Sequence, residues 1–195
     1  MELFLRRVIC LVLPLFGALL IPTSAEAAAR RYVVDDAFSQ VDAKVPFLGI
    51  ATKTARFPDM KGALSLDIDN YEQVSMTVDV DARSLTTGDS ETKRLRGKQF
   101  FDVANHPTVR FVAQKMELTG ERSGVVTGLM TAKGVTRPVK LAIGFSKVPW
   151  EAGPDEPLSI VGTTTIDRRQ FGMGAFPILI GHKVKITIHA RMVPG

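Results

Sequence analysis

Ala63-Leu64-Ser65-Leu66-Asp67-Ile68-Asp69, then Val74-Ser75-Met76-Thr77-Val78-Asp79-Val80-Asp81, is the stretch that decides the fold. Apolar residues recur at every second position, the period of a strand with one buried face. Leu64, Leu66 and Ile68 share one face, and Val74, Met76, Val78 and Val80 share another. Asn70-Tyr71 separates the two runs, so they predict an antiparallel hairpin with an aliphatic face and a carboxylate face.

The same period continues outward. Thr108–Leu118, Val125–Ala132, Val135–Val148, Leu158–Asp167 and Val184–Val193 read as strands, and Tyr32–Val45 supplies one or two more. Val139, Leu141, Ile143 and Phe145 line one face of their run; Val184, Ile186, Ile188 and Ala190 line another. Turns are expected at Thr119–Gly124, at Lys133-Gly134 and in Gly172-Met173-Gly174, and Trp150–Pro157 reads as a loop. Glu91–Gly97 is expected to be a short surface helix, because only Leu95 in it is strongly apolar; Asp89 or Ser90 is the candidate N-cap. About eight strands predict one all-β domain, a sandwich or a barrel on pattern alone.

Residues 1–27 stand apart. Arg6-Arg7 precede an uncharged run from Val8 to Ile21, and Ala25-Glu26-Ala27 fits a signal-peptidase site, with cleavage after Ala29 as a second option. The run, about 14 residues, is short of the roughly 20 that span a bilayer. The expectation is a cleaved signal, a domain over 30–195 and a periplasmic protein. Cys10 is the single cysteine and lies within this run, so the mature chain is expected to hold no disulfide, zinc thiolate or thiol nucleophile.

The formal charge is +5, and loss of Glu2, Arg6, Arg7 and Glu26 leaves it unchanged. For an exported chain this favours solubility, or attraction to an anionic membrane surface or pyrophosphate, over nucleic acid. His106, His182 and His189 are far apart and fit no metal-ligand spacing. No nucleophile elbow, Walker loop or dinucleotide fingerprint is present. Asp67, Asp69, Asp79 and Asp81 read as a solvated strand face rather than as paired acids or a calcium site. The sequence predicts no catalytic residue, no metal site and no cofactor.

Four ordered motifs carry a family resemblance. Ser84-Leu85-Thr86-Thr87-Gly88 leads to Leu95-Arg96-Gly97-Lys98-Gln99-Phe100-Phe101-Asp102 and His106-Pro107-Thr108-Val109-Arg110-Phe111. Gly128-Leu129-Met130-Thr131-Ala132-Lys133-Gly134-Val135-Thr136-Arg137-Pro138-Val139 and Ile166-Asp167-Arg168-Arg169-Gln170-Phe171-Gly172-Met173-Gly174 follow. In these the chain resembles the YceI-like family of bacterial secreted proteins, from about Tyr32 to Val193. The resemblance implies an eight-stranded antiparallel lipocalin-like barrel, an isoprenoid or other long-chain lipid as ligand, and a homodimer. Two positions depart from the family pattern: Phe38 and Phe47 stand where relatives often have histidine, which implies a more apolar ligand or a changed mouth.

The candidate lipid-binding wall is the set of apolar faces: Leu64, Leu66, Ile68, Met76, Val78, Val80, Phe111, Leu129, Ile143, Phe145, Ile166 and Ile186. On this reading the protein sequesters or carries a polyprenyl phosphate or isoprenoid quinone, and touches the membrane transiently. Two other classes remain at this point. One is a structural or stress-related interaction protein whose barrel is filled by its own side chains. The other is a hydrolase or redox enzyme, which would need a catalytic constellation that the sequence does not show.

Overall fold

Arg30–Phe47 forms a single 18-residue strand, β1, and the barrel is organised around it. The computed structural model describes residues 29–67, 70, 74–153 and 155–195. The expected signal segment and Ile68 lie outside the described residues. The other strands are β2 (Ala51–Phe57), β3 (Met60–Leu66), β4 (Val74–Asp81), β5 (Thr108–Gly120), β6 (Ser123–Ala132), β7 (Val135–Phe145), β8 (Leu158–Asp167) and β9 (Lys183–Pro194).

All neighbours are antiparallel. One edge of β1 pairs with β3 near Arg30–Val33 and with β2 over Val41–Phe47. Its other edge pairs with β9, which closes the sheet. β2 and β3 therefore occupy one place in the ring, interrupted at Pro58-Asp59, where proline has no N–H for a ladder. Nine strands make a closed eight-stranded lipocalin-like barrel. Closure through β1–β9 removes the two long edges an open sheet would have. The outer edge of β2, which β4 does not reach, is covered at Arg56 by Thr86; each backbone N–H donates to the other's carbonyl at 2.8 Å.

Two bulges set which side chains point inward. In β1 the register with β9 shifts between Asp35 and Gln40. There Ser39, buried, donates from Oγ to the Asp35 carbonyl at 2.6 Å and accepts from the Arg191 N–H at 3.0 Å. A hydroxyl thus satisfies backbone groups that the bulge removes from the ladder. In β5 a shift between Ala113 and Lys115 carries the inward parity from Phe111 to Met116, so odd and then even residues face the interior.

The sequence missed β2. Ala51-Thr52-Lys53-Thr54-Ala55-Arg56-Phe57 alternates, but only Ala55 and Phe57 are apolar and buried, too few to stand out. The short helix α1 (Glu91–Arg96) is present on the surface. Asp89, not Ser90, supplies the capping side chain: its carboxylate accepts from the Glu91 N–H at 3.0 Å. The segment after α1 crosses one end of the barrel. Phe101 there meets Phe57 edge-on, with ring centroids 5.4 Å apart.

Candidate lipid-binding cavity

Inward alternation from every strand converges on an internal cavity of about 130 Å³. Its described wall is made of Val, Ala, Leu, Ile, Met and Phe side chains, with Gly162 leaving additional room. For comparison, an apolar cavity of roughly 150 Å³ stays dry and takes benzene. The wall runs the length of the barrel, from Leu66, Val74 and Met192 at one end to Phe101, Ala132 and Met173 at the other.

The structure sorts the sequence-predicted wall residues clearly. β3 brings in Leu64 and Leu66, and β4 brings in Met76, Val78 and Val80. Phe111 enters from β5, Ile143 and Phe145 from β7, Ile166 from β8 and Ile186 from β9. Leu129 does not belong. It lies between Gly128 and Met130 on the outer face of β6, opposite Val112 and Pro138, and is 37% exposed. The inward slots of β6 go to Val126, Met130 and Ala132 at the wall, with Gly128 between them. Gly128 is small for a reason: a Cβ there would stand 2.6 Å from Cζ of Phe111 and 2.4 Å from the Val112 carbonyl.

Sequence reasoning overlooked the methionines. Met60, Met76, Met116, Met130, Met173 and Met192, every methionine after Met1, line the cavity. Unbranched thioethers adjust to irregular ligands, so this wall is deformable where an Ile/Val wall is stiff. Their scatter along the chain hides the set until the barrel closes.

Phe38 and Phe47 are not wall residues. Phe38 is 65% exposed beside the β1 bulge, with the Arg191 guanidinium 4.8 Å from its ring centroid. Phe47 is half-buried at the end of β1, where the Lys53 ammonium lies 5.8 Å from its ring. The apolar character of the interior therefore does not come from these two substitutions.

Among the described residues no charged side chain lines the cavity, although Asp167 and Arg168 are buried at one end of the barrel. Across β4–β5, Arg110 donates to both oxygens of Asp79 at 2.7 and 2.8 Å. Arg83 forks onto Asp81, and this hydrogen bond holds the carboxyl below its usual range. Asp69, the last residue of that sequence-predicted acidic face, lies outside the described residues. His182 and His189 are exposed, while His106 packs by its ring against Gly134. Among the described residues no three His, Cys, Asp or Glu side chains converge as a metal site.

Comparison with known proteins agrees with this architecture. Residues 32–192 match the model of the YceI-like domain. A UPF0312 protein of Pseudomonas savastanoi pv. phaseolicola is 34% identical over 160 residues, covering 77% of this chain and 80% of the relative. A UPF0312 protein of Shewanella sp. strain MR-4 is 32% identical over 166 residues, covering 80% and 83%. Among solved structures, Burkholderia cenocepacia BcnA superposes with a TM-score of 0.73 at 23% identity, over 81% of this chain and 98% of that one. A polyisoprenoid binding domain from Saccharophagus degradans, implicated in plant cell wall breakdown, gives a TM-score of 0.65 at 12% identity, over 84% and 98%.

Proposed function

We propose that this chain, which belongs to the YceI-like family, is a periplasmic protein that holds one long isoprenoid-type lipid inside its barrel and does no chemistry on it. The observation that carries the reading is the cavity: continuous along the barrel and walled by hydrocarbon and thioether groups. A polar head group would find no side-chain hydrogen-bonding partner among the described wall residues, and burying it unpaired costs about 2–7 kcal/mol. An apolar tail meets the opposite situation. Each methylene transferred from water is worth about 0.8 kcal/mol, so a prenyl chain is held by burial alone. The tail therefore occupies the barrel and the head, a phosphate or a quinone ring, stays at a mouth.

The deformable methionine wall suits a branched chain whose cross-section varies along its length. The likeness in fold to a polyisoprenoid binding domain supports the same class of ligand. The open volume, about the size that takes benzene, is smaller than a long prenyl chain, so the methionine wall must yield as the tail enters. Lipid extraction decides between this reading and a barrel filled by its own side chains. Periplasmic residence rests on the signal-like segment ending at Ala27.

Organic extraction of the purified protein, followed by mass spectrometry, tests the proposal. The expected result is a near-stoichiometric prenyl lipid. Protein that carries no lipid and binds neither a polyprenyl phosphate nor a quinone when offered them would defeat it.

A further inference from the structure

At the end of the barrel where β1 turns into β2, large apolar side chains project from the fold without being covered by it. Leu48 is exposed at the hairpin tip, and Ile50 beside it is 91% exposed. In the loop before β9, Ile178 is 91% exposed and Leu179 is exposed as well. The two loops form one surface. The Leu48 N–H donates to the Leu179 carbonyl at 2.8 Å, the Gly181 N–H donates to the Pro46 carbonyl at 2.8 Å, and Phe47 bridges to Ile180. Single exposed apolar residues are ordinary; a joined cluster marks an interaction site.

The backbone points the same way. Leu48 and Phe176 both have φ of +52°, a left-handed conformation that bulky residues rarely adopt. Hairpin turns of this kind usually take Asn or Gly, so two bulky apolar residues here are held against local preference.

Charge surrounds the cluster. The Lys53 ammonium lies 5.8 Å from the Phe47 ring centroid, and the Arg94 guanidinium lies 5.7 Å from that of Phe176. Acidic neighbours are already engaged: Asp89 with Lys53 at 3.0 Å, Glu91 with Arg94 at 2.9 Å, and Asp42 with Arg56 at 3.1 Å. On the adjoining outer wall Lys44 stands directly opposite Lys185 across β1–β9. Like charges in that position repel, and an anionic partner relieves the repulsion. The far end of the barrel is mixed in charge: Glu117, Glu121, Glu151, Asp155 and Glu156 lie there with Arg30, Arg31, Arg122 and Lys147, and Lys147 pairs with Glu156. The basic surroundings of the apolar tip come from its own strands, where Lys44 faces Lys185.

We propose that this end of the barrel docks on an anionic lipid bilayer. Leu48, Ile50, Ile178 and Leu179 enter the boundary between head groups and acyl chains, and Lys44 and Lys185 lie over the phosphates. Long basic side chains extend to head groups while their stems cover apolar surface. Docking also brings the membrane close to the cavity. Phe176 stacks on Phe100 at 6.2 Å between centroids, and the next residue, Phe101, lines the cavity wall. The docking surface does not depend on what fills the barrel, so ligand-free protein is expected to bind vesicles as well as loaded protein does.

Vesicle co-sedimentation tests this, using protein from Ala28 onward, since the described barrel strands all lie within Arg30–Pro194. Vesicles are phosphatidylcholine alone or phosphatidylcholine mixed with phosphatidylglycerol to give an anionic surface. Wild type is expected on the anionic vesicles, with binding weakened by salt. Ile50→Ser/Ile178→Ser and Lys44→Glu/Lys185→Glu should each lower binding at least about tenfold, with unchanged circular dichroism and melting temperature. Wild type that ignores anionic vesicles, or variants that bind as wild type does, would overturn the proposal. So would a dimer that Ile50→Ser/Ile178→Ser makes monomeric without any vesicle binding, because the tip would then join two copies of the chain.

Discussion

Arg168 holds Ile180 in place: its Nη2 donates to the Ile180 carbonyl at 2.8 Å, and the residue is only 4% exposed. Nε of the same group donates to the Gly181 carbonyl at 2.9 Å, and Nη1 donates to the Met173 carbonyl. One planar fork therefore ties both ends of the 173–181 loop to the end of β8. Burial pushes the Arg168 pKa down, yet arginine stays protonated throughout the working range.

That geometry predicts the behaviour of Arg168 variants. Arg168→Gln leaves buried carbonyls without a charged donor and should lower stability by about 2–4 kcal/mol in chemical denaturation. Arg168→Lys should recover little of it, because a single ammonium on a flexible stem cannot match three carbonyls in a plane. Amide exchange at Gly181 should accelerate in both variants. A lysine variant with wild-type stability and protection would show that charge alone, not the fork, secures the loop.

The neighbouring carboxylate sets an acid limit. Asp167 accepts from both Nε and Nη2 of Arg169, at 3.0 and 2.6 Å, and from the Arg169 N–H at 3.0 Å. The side-chain hydrogen bond to Arg169 holds its pKa well below the usual carboxylate range. Asp89 behaves alike: the Thr87 hydroxyl, then Lys53, lower it to about 2. Both folded values lie below the unfolded one, roughly 3.9. The stability these groups add is therefore fully present above about pH 4 and is lost as pH falls through the folded values. Urea midpoints should be flat from pH 7 to 5 and drop below pH 4, with a smaller acid drop in Asp167→Asn. An identical acid profile in that variant would place the sensitivity elsewhere.

Gly128 should tolerate no side chain. Its missing Cβ leaves room for the Phe111 ring and for the Val112 carbonyl of the next strand. Gly128→Val forces one of them to move, and overpacking of this kind costs about 1–3 kcal/mol. Gly172 provides the contrast, because nothing lies within 4 Å of its Cβ position and only its φ of +70° resists substitution. Gly172→Ala should then cost about 1 kcal/mol, from backbone strain alone. Thermal melts of the two variants are expected to separate these two roles of glycine.

How much of this was legible follows from how each feature is encoded. Leu64, Leu66, Met76, Val78 and Val80 announce their common face because neighbouring polar residues alternate strictly with them. Leu129 misled because the inward position beside it belongs to Gly128, and a glycine carries no hydrophobic signal. In β5 a fixed period of two fails between Phe111 and Met116, since the bulge near Gln114 changes the parity. β2 was invisible because Lys53 takes the place before Ala55 and Phe57 on the inward face, and that face is completed by Phe101 from the segment after α1. The tip of Leu48, Ile50 and Ile178 has no period at all. It exists only because hydrogen bonds join two loops that are distant in sequence.

The sharpest test of the cavity sets two adjacent residues of β4 against each other. Val78 faces the cavity, and Thr77 is exposed on the outer face between Ala63 and Val112. An indole at position 78 projects into a space of about 130 Å³ and competes with the tail for the same volume. Val78→Trp should therefore abolish lipid retention, whereas Thr77→Trp should keep it, with the bound lipid quantified by mass spectrometry after extraction. Part of the added volume can be absorbed by rotation of the methionines, so the loss of stability should fall at the low end of the roughly 1–3 kcal/mol typical of overpacking. Circular dichroism must show both variants folded. If folded Val78→Trp protein still carries lipid at full occupancy, the tail does not pass β4 and this wall is not the binding surface.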